Sequence, residues 1–231
     1  MAALDLKKDG SVFVVTMCDQ QGANTYTDEV INEHHQVLDE IESSTGSGAV
    51  VLTSSHPKTW SQGINLEWLM TKPPEYLPQF KDMMDVFLIR WALLDLPTVA
   101  CLTGHTYAGG AILASGFDFR FMREDKGWFC FPEVDVKIPF TPIMHEIVNL
   151  LPNKRALRDL LLTGKRIGGT EAAQLGIVDA AYPEETLFEK AMETAQAMSQ
   201  KDRATYGAIK KGMRSKLAGM LGKGGRPKEP L

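Results

Sequence analysis

The feature that most limits the fold of this chain is an uncharged stretch of 22 residues, residues 96–117. It contains no Asp, Glu, Lys or Arg and is long enough to span a lipid bilayer as a helix. Four glycines, a proline, a histidine and several hydroxyl side chains interrupt it, however, and such a segment is too polar for lipid. The stretch therefore predicts a buried strand, a tight glycine-bearing loop and a buried helix in a globular core.

Strand and helix patterns alternate along most of the chain. Continuous apolar or β-branched runs predict buried strands at residues 12–16, 49–53, 98–103 and 119–122. Apolar residues at helical spacing predict helices that begin near Thr27, Leu66 and Gln79, and the pattern is helical from Asn153 to Leu221. This alternation is typical of an α/β fold with a mostly parallel sheet.

Composition excludes several classes of protein. Hydrophobic residues make up 44% of the chain and charged residues 23%, which is ordinary for a folded globular protein. Three widely spaced cysteines indicate neither a disulfide framework nor a thiolate metal site, and they favour a reducing compartment. The charged N-terminal segment does not resemble a secretory leader, and the last residues are not a peroxisomal SKL-type ending. We therefore expect a cytoplasmic protein that does not enter the membrane, with a peroxisomal location left open.

Basic charge is concentrated near the C-terminal end of an otherwise acidic chain. From Lys201 onward there are nine basic residues and two acidic ones, whereas the whole chain carries a net charge of −4. A solvated basic helix, pairing with an acidic neighbour, or phosphate binding would each accommodate this charge. Tyr206 is the one aromatic residue in the segment, so nucleic acid is not an expected partner. Residues 223–231 lack apolar periodicity and are expected to form a frayed tail.

Two loops, residues 60–66 and 104–111, carry the clearest signs of a site. Each follows a predicted strand and leads into a predicted helix, and each contains glycine. Glycine permits close approach of the backbone, and the first amides of a helix have no partner within that helix. Two such loops together are able to hold one oxyanion. The common nucleotide-binding, metalloprotease and nucleophile-elbow motifs do not occur in the sequence, and no metal site is expected.

These loops resemble two motifs of the enoyl-CoA hydratase/isomerase, or crotonase, superfamily. The first resembles the family's FSAGxDL motif, and the second its GxxxGGG motif with Ala108 in place of one glycine. The resemblance covers most of residues 10–185 and continues through residues 117–121, 131–133, 162–165 and 170–179. It implies a CoA-binding core of ββα turns over residues 1–165. It also implies a helical C-terminal region over residues 166–231 that builds a homotrimer or a dimer of trimers.

The resemblance also implies which residues hold an acyl-CoA substrate. The backbone amides of Ile64 and Gly109 would bind the thioester oxygen as an oxyanion hole. The remaining residues expected to contact the substrate are Lys58, Ser61, Gln62, Gly63, Asn65, Gly110 and Phe140. Among them, Lys58 would approach the CoA phosphates and Phe140 would shape the acyl pocket. CoA is part of the substrate, so the resemblance implies no metal and no separate cofactor.

The type of reaction depends on the carboxylates of the site. Hydratases of this family carry two glutamates that position water, and here Ile112 occupies the first position and Glu133 the second. One glutamate suits a proton shuttle that takes a proton from C2 of a 3-enoyl-CoA and returns it at C4, as in the single-glutamate Δ3,Δ2-enoyl-CoA isomerases. The apolar neighbours of Glu133 would raise its pKa towards the working pH. Asp135, two residues along the same predicted strand, is the weaker candidate for a second base.

We therefore expect an acyl-CoA isomerase with Glu133 as its single acid and base. The alternatives are a hydratase, decarboxylase or thioester hydrolase of the same fold, or a CoA-binding or scaffold protein without catalysis, which would be favoured if Glu133 points away from the thioester site. Two apolar stripes complete the expectations. The stripe that packs in the core or lines an acyl pocket comprises Phe80, Met83, Met84, Phe87 and Trp91. The stripe expected to be buried partly against other subunits comprises Leu175, Ile177, Val178, Leu187, Phe188 and Met192.

Overall fold

The computed structural model describes residues 2–19 and 22–221. The strands are β1 (Leu4–Asp9), β2 (Val12–Met17), β3 (Thr25–Tyr26), β4 (Ala49–Ser54), β5 (Thr59–Ser61), β6 (Gly63–Ile64), β7 (Thr98–Leu102), β8 (His105–Tyr107), β9 (Phe119–Arg123), β10 (Phe129–Cys130) and β11 (Ala180–Tyr182). The helices are α1 (Asp28–Ser43), α2 (Leu66–Met70), α3 (Tyr76–Leu93), α4 (Gly109–Ser115), α5 (Glu133–Val136), α6 (Pro142–Val148), α7 (Lys154–Thr163), α8 (Gly169–Gln174), α9 (Glu184–Met198), α10 (Arg203–Met213) and α11 (Ser215–Gly219).

A six-stranded sheet in the order β1-β2-β4-β7-β9-β11 lies at the centre of the molecule. The β1–β2 pair is antiparallel, and the other neighbours in this sheet are parallel. Two smaller sheets, β10-β8-β5 and β3-β6, stand beside it and carry the two glycine loops. The predicted α/β fold with a mostly parallel sheet is thus the observed one.

Different layers cover the two faces of the large sheet. On one face, Val50 and Leu52 of β4 belong to the same apolar cluster as Leu38 of α1 and Phe87 of α3. On the other face, Val51 belongs to a second cluster that includes side chains of α9. Burial on both faces is the reason why the apolar runs of the central strands are continuous rather than alternating.

The apolar stripe of α3 packs in the core. Phe80, Met84, Phe87 and Trp91 are buried and Met83 is partly buried, and none of them lines the cavity described below. In the C-terminal region, Ile177, Val178, Leu187 and Met192 are buried within this chain, Leu175 is half-buried, and Phe188 is exposed. Most of that second stripe is therefore buried without another subunit.

Seven of the eleven described strands were not predicted: the short β3, β5, β6 and β10, and also β1, β8 and β11. Residues 4–9 form β1, whose four charged residues hide its strand pattern, and such a sequence suits the edge of a sheet. The short β8 lies within the predicted glycine loop, where it pairs with β5 and β10. The short β11 interrupts the predicted helical region and adds the last strand to the large sheet beside β9.

The C-terminal helices are fixed to the core by a buried ion cluster. The Asp118 carboxylate accepts hydrogen bonds from Lys210 at 2.6 Å and from Arg214 at 2.8 Å. Burial lowers the pKa of Lys210 to about 8, and the nearby Asp118 opposes this shift. Pairing with an acidic neighbour is therefore how the structure accommodates these two basic residues. The expected frayed tail at residues 223–231 lies outside the described residues, and within the described ranges no helix is both long and apolar enough to cross a membrane.

Candidate active site

A cavity of about 550 Å³ opens where β6, α4 and α5 meet. Side chains and backbone of residues 62, 64, 65, 108, 109 and 112 line one side, and we call the segments that carry them, residues 61–65 and 108–112, the glycine wall. Residues 132–141 form the other side, which we call the carboxylate wall. Lys81 and Met144, from α3 and α6, complete the lining together with residues of the segment that precedes β3.

The glycine wall brings the two predicted loops into direct contact. Gly63 has a φ of +77°, and a Cβ atom at this position would overlap the backbone nitrogen of Gly109. Glycine is therefore required at Gly63 by both its conformation and its neighbour. The contact places Ile64 and Gly109, which both line the cavity, on adjacent segments.

The backbone amides of Ile64 and Gly109 are the two donors predicted for an oxyanion hole, and the local backbone decides which way they can point. Asn65 donates its backbone N–H to the Tyr26 carbonyl at 3.0 Å, on the side of β3. Because successive amides of a strand point to opposite sides, the Ile64 N–H points away from β3. Gly109 is the first residue of α4, so its N–H has no partner within that helix.

Ala108, which precedes α4, is held in a conformation that favours glycine. Its φ is +49°, and it stands where the GxxxGGG motif, which this loop resembles, has glycine. A positive φ at a non-glycine residue costs about 1 to 3 kcal/mol and persists only where the surrounding structure enforces it. The Ala108 carbonyl accepts the Ile112 N–H at 2.9 Å, which fixes the first turn of α4.

Glu133 lies in the carboxylate wall at the first residue of α5, a single helical turn. The prediction that Glu133 and Asp135 share a strand face is wrong, because residues 133–136 are helical and Asp135 lies exposed outside the cavity lining. The side chain of Glu133 is half-buried, and its Oε2 atom is buried without a hydrogen-bond partner. Burial raises the pKa of Glu133 to about 7, and a hydrogen bond from its own backbone opposes the shift.

Ile112 lines the cavity in the position expected to hold a second carboxylate in a hydratase. It is 1% exposed and belongs to the main apolar cluster. The other carboxylate in the described lining, Glu67, is exposed on α2. Glu133 is therefore the one carboxylate of the described lining that is withdrawn from water.

The far end of the carboxylate wall is anchored to the core. Thr141 caps α6, with Pro142 in the first turn as predicted, and its hydroxyl accepts the Met144 N–H at 3.2 Å. The same hydroxyl donates to the buried Asp85 carboxylate at 2.6 Å. Burial raises the pKa of Asp85 to about 6, while the bond from Thr141 opposes the shift. The sequence pattern gave no sign of this pair, because its members are 56 residues apart.

The structure places the predicted site residues in three groups. Those that line the cavity are Gln62, Ile64, Asn65, Gly109, Glu133 and Phe140. Three others, Ser61, Gly63 and Gly110, are buried and lie outside the described lining of the cavity. Lys58 is exposed and lies outside the lining. Lining residues that sequence reasoning missed include Ala23, Thr25, Lys81, Val136 and Met144, which no local motif marks, and Tyr107, which lies within the second predicted loop.

The chain is similar to proteins of known family over nearly its whole length. A family model described as enoyl-CoA hydratase/isomerase matches residues 7–226. Enoyl-CoA delta isomerase 2, peroxisomal, of Arabidopsis thaliana is 33% identical in a 227-residue alignment that covers 94% of this chain and 94% of that one. Enoyl-CoA delta isomerase 3 of the same organism is 30% identical in a 224-residue alignment, again with 94% of each chain covered.

Solved structures show the same fold. An enoyl-CoA hydratase from Bacillus anthracis superposes with a TM-score of 0.83 at 20% identity, covering 94% of this chain and 84% of that one. A second structure, from Geobacillus kaustophilus, has a TM-score of 0.82 at 24% identity and covers 93% of this chain and 81% of that one. At these identities the likeness shows the fold alone, which is the predicted crotonase-like core with C-terminal helices. The extended sequence match and the shared fold together show that this chain belongs to the enoyl-CoA hydratase/isomerase family.

Proposed function

We propose that this protein is an enoyl-CoA isomerase that shifts the double bond of a 3-enoyl-CoA to the 2-trans position with a single base. The observation that carries the proposal is the contrast between two residues of the cavity lining. Glu133 supplies a carboxylate withdrawn from water, whereas Ile112 supplies an apolar side chain at the second position. The family relatives named enoyl-CoA delta isomerases support the same reaction class.

The reaction consists of two proton transfers at one carboxylate. Ionised Glu133 takes a proton from C2 of the 3-enoyl thioester, and the electron pair of the C–H bond moves into the conjugated enolate. The C3–C4 double bond then shifts to C2–C3 as C4 takes the proton back from Glu133. A pKa of about 7 suits a group that must both accept and release a proton near neutral pH. This reaction needs neither a metal ion nor a redox cofactor, because it consists of proton transfers without a net oxidation or reduction.

The enolate carries its negative charge on the thioester oxygen. The backbone amides of Ile64 and Gly109 are the donors proposed to bind that oxygen, and the contact between Gly63 and Gly109 keeps them adjacent. Preorganised donors of this kind are effective because they need no reorientation during the reaction, and the loss of one typically costs about 2.7 to 4 kcal/mol.

The acyl chain and the CoA moiety extend from the thioester in opposite directions. Phe140 and its neighbours in the carboxylate wall would contact the acyl chain, since this end of the lining is mainly apolar. Gln62 and Asn65 would lie along the CoA side, although the Asn65 side chain is also engaged as the cap of α2. Lys58, exposed on the segment before β5, remains a proposed contact for the CoA phosphates.

A homotrimer or a dimer of trimers is proposed as the assembly. Phe188 on α9 is the exposed member of the predicted interface stripe, at 44% exposure, and another subunit would bury this aromatic side chain. Light scattering at micromolar concentration tests the assembly. A strictly monomeric species would contradict it.

Two assays on the wild-type protein test the proposed reaction. We expect conversion of 3-hexenoyl-CoA to 2-hexenoyl-CoA and negligible hydration of crotonyl-CoA, because Ile112 occupies the second position and the other carboxylate of the described lining, Glu67, is exposed on α2. Hydration as fast as isomerisation would contradict the single-base mechanism. Absence of both activities, with CoA esters still bound, would favour a CoA-binding protein without this catalysis.

A further inference from the structure

Ser61 lies at the junction of the two loops of the glycine wall, although it does not reach the cavity. Its side chain is fully buried. The hydroxyl donates to the Asn24 carbonyl at 2.8 Å and accepts the Gly63 N–H at 3.1 Å. The backbone of Gly63 is thereby tied to a residue 39 positions earlier in the chain.

Asn24 is itself a fixed point in the core. It has a φ of +53° and is 3% exposed. Its side-chain amide donates to the Ser54 hydroxyl at 2.8 Å and to the Trp60 carbonyl at 2.9 Å. The Ser61 hydroxyl is therefore held by an acceptor that has little freedom to move.

Ser61 also contacts the second loop. A Cβ atom at Gly110 would lie 2.5 Å from the Ser61 carbonyl oxygen and 2.9 Å from its Cβ atom, so the two backbones are closely packed. Ser61 also pairs with Thr106 in the parallel contact between β5 and β8. One buried residue thus contacts the segments that present both Ile64 and Gly109 to the cavity.

We propose that Ser61 is a positioning residue whose hydroxyl sets the direction of the Ile64 amide relative to that of Gly109. The inference rests on the proposed function, because it assigns Ser61 a role in the oxyanion hole. The Ser61 hydroxyl fixes the Gly63 N–H, and the next amide of the strand, that of Ile64, points to the other side. Loss of the hydroxyl leaves the amides of Ile64 and Gly109 present but frees the peptide at Gly63 and Ile64 to rotate.

The test compares Ser61→Ala with Ser199→Ala. Ser199 is also buried, and its hydroxyl makes hydrogen bonds of 2.7 Å to Ser11 and 2.8 Å to the Gln196 carbonyl, far from the cavity lining. Both variants lose a buried serine hydroxyl, so we expect similar decreases in melting temperature. Only Ser61→Ala should lower kcat for 3-hexenoyl-CoA, by about tenfold, which is less than the loss typical of removing an oxyanion donor. Its KM should change little.

A spectroscopic measurement separates this inference from the proposed function. The infrared carbonyl stretch of octanoyl-CoA, a thioester that cannot isomerise, should move to lower frequency on binding to the wild type and return towards the free value in Ser61→Ala. No shift in the wild type would contradict the oxyanion hole itself. The same shift in both proteins, or an equal loss of kcat in Ser199→Ala, would overturn the role of Ser61. If Ser61→Ala does not fold, Ser61→Cys, which has a weaker donor of similar shape, should show an intermediate shift, and an unchanged shift would again overturn the role.

Discussion

The two walls of the cavity are built in different ways. In the glycine wall, buried backbone groups are held by close packing and by side chains such as Ser61 and Asn24. In the carboxylate wall, Val134 and Val136 are 48% and 46% exposed, and Lys137 ends α5 with a φ of +61°. The comparison teaches that the wall proposed to stabilise charge consists of closely packed, buried backbone, whereas the wall proposed to move protons is a short helical turn near the surface.

The largest expected effect comes from removing the acid and base while the glycine wall is left intact. Glu133→Gln should lower isomerase turnover by about 10²- to 10⁴-fold, the usual contribution of general acid and base catalysis. Binding of octanoyl-CoA, measured by calorimetry, should persist because the proposed amide donors remain. Asp135→Asn is the matched control, since Asp135 lies two residues away and outside the cavity lining. A Glu133→Gln variant that retains more than about a tenth of the wild-type rate would contradict the assigned role.

A smaller effect is expected from adding a carboxylate to the glycine wall. In Ile112→Glu the new group would line the same cavity as Glu133 and raise the pKa of one of the two carboxylates, because like charges disfavour joint ionisation. We expect isomerisation of 3-hexenoyl-CoA to fall by about tenfold or more, with little gain in crotonyl-CoA hydration. Ile112→Leu, which conserves volume, should stay close to the wild type. Equal activity of the Glu and Leu variants would show that residue 112 does not influence the base.

The smallest expected effects concern pH and stability. Because Glu133 acts first as a base, kcat/KM should decrease about tenfold for each pH unit below the pKa of Glu133, which is about 7.

The raised pKa of Glu133 also affects stability, because the folded protein binds this proton more tightly than the unfolded chain does. Its contribution to stability is therefore greatest below pH 4.5 and is lost as the pH rises through about 7. Glu133→Gln should raise the free energy of unfolding at pH 8 by about 1 to 3 kcal/mol, and urea titration at pH 4 and pH 8 should show the gain only at the higher pH.

The sequence predicted the two walls unequally, and the difference has a physical origin. The glycine wall depends on local requirements, such as a positive φ at Gly63 and close approach at Gly109, which glycine-containing motifs record directly. The carboxylate wall depends on tertiary contacts. Residues 133–136 form a helical turn despite their β-branched composition, and the bond between Thr141 and Asp85 joins distant segments.

The same reasoning explains which parts of the fold were predictable. The central strands were marked by continuous apolar runs, because layers of helices cover both faces of the sheet. The edge strand β1 and the short β11 were not marked, since edge strands have charged residues and short strands have few residues to show a period. The burial of Ser61 behind the cavity lining also required the structure. A serine at this position of the loop motif could equally line the cavity or pack behind it, and the motif alone does not distinguish the two.

The central claim is that one carboxylate carries the proton from C2 to C4, and isotope transfer tests it most directly. The measurement uses 3-hexenoyl-CoA with two deuterium atoms at C2, a single turnover in ordinary water, and mass spectrometry of the 2-hexenoyl-CoA formed. If Glu133 alone moves the proton within its dry setting, a substantial fraction of the product should carry deuterium at C4. Product whose new C4 hydrogen comes entirely from solvent would contradict the account, because either another group or water delivered it, or Glu133 exchanged its deuteron with water and is not shielded from solvent.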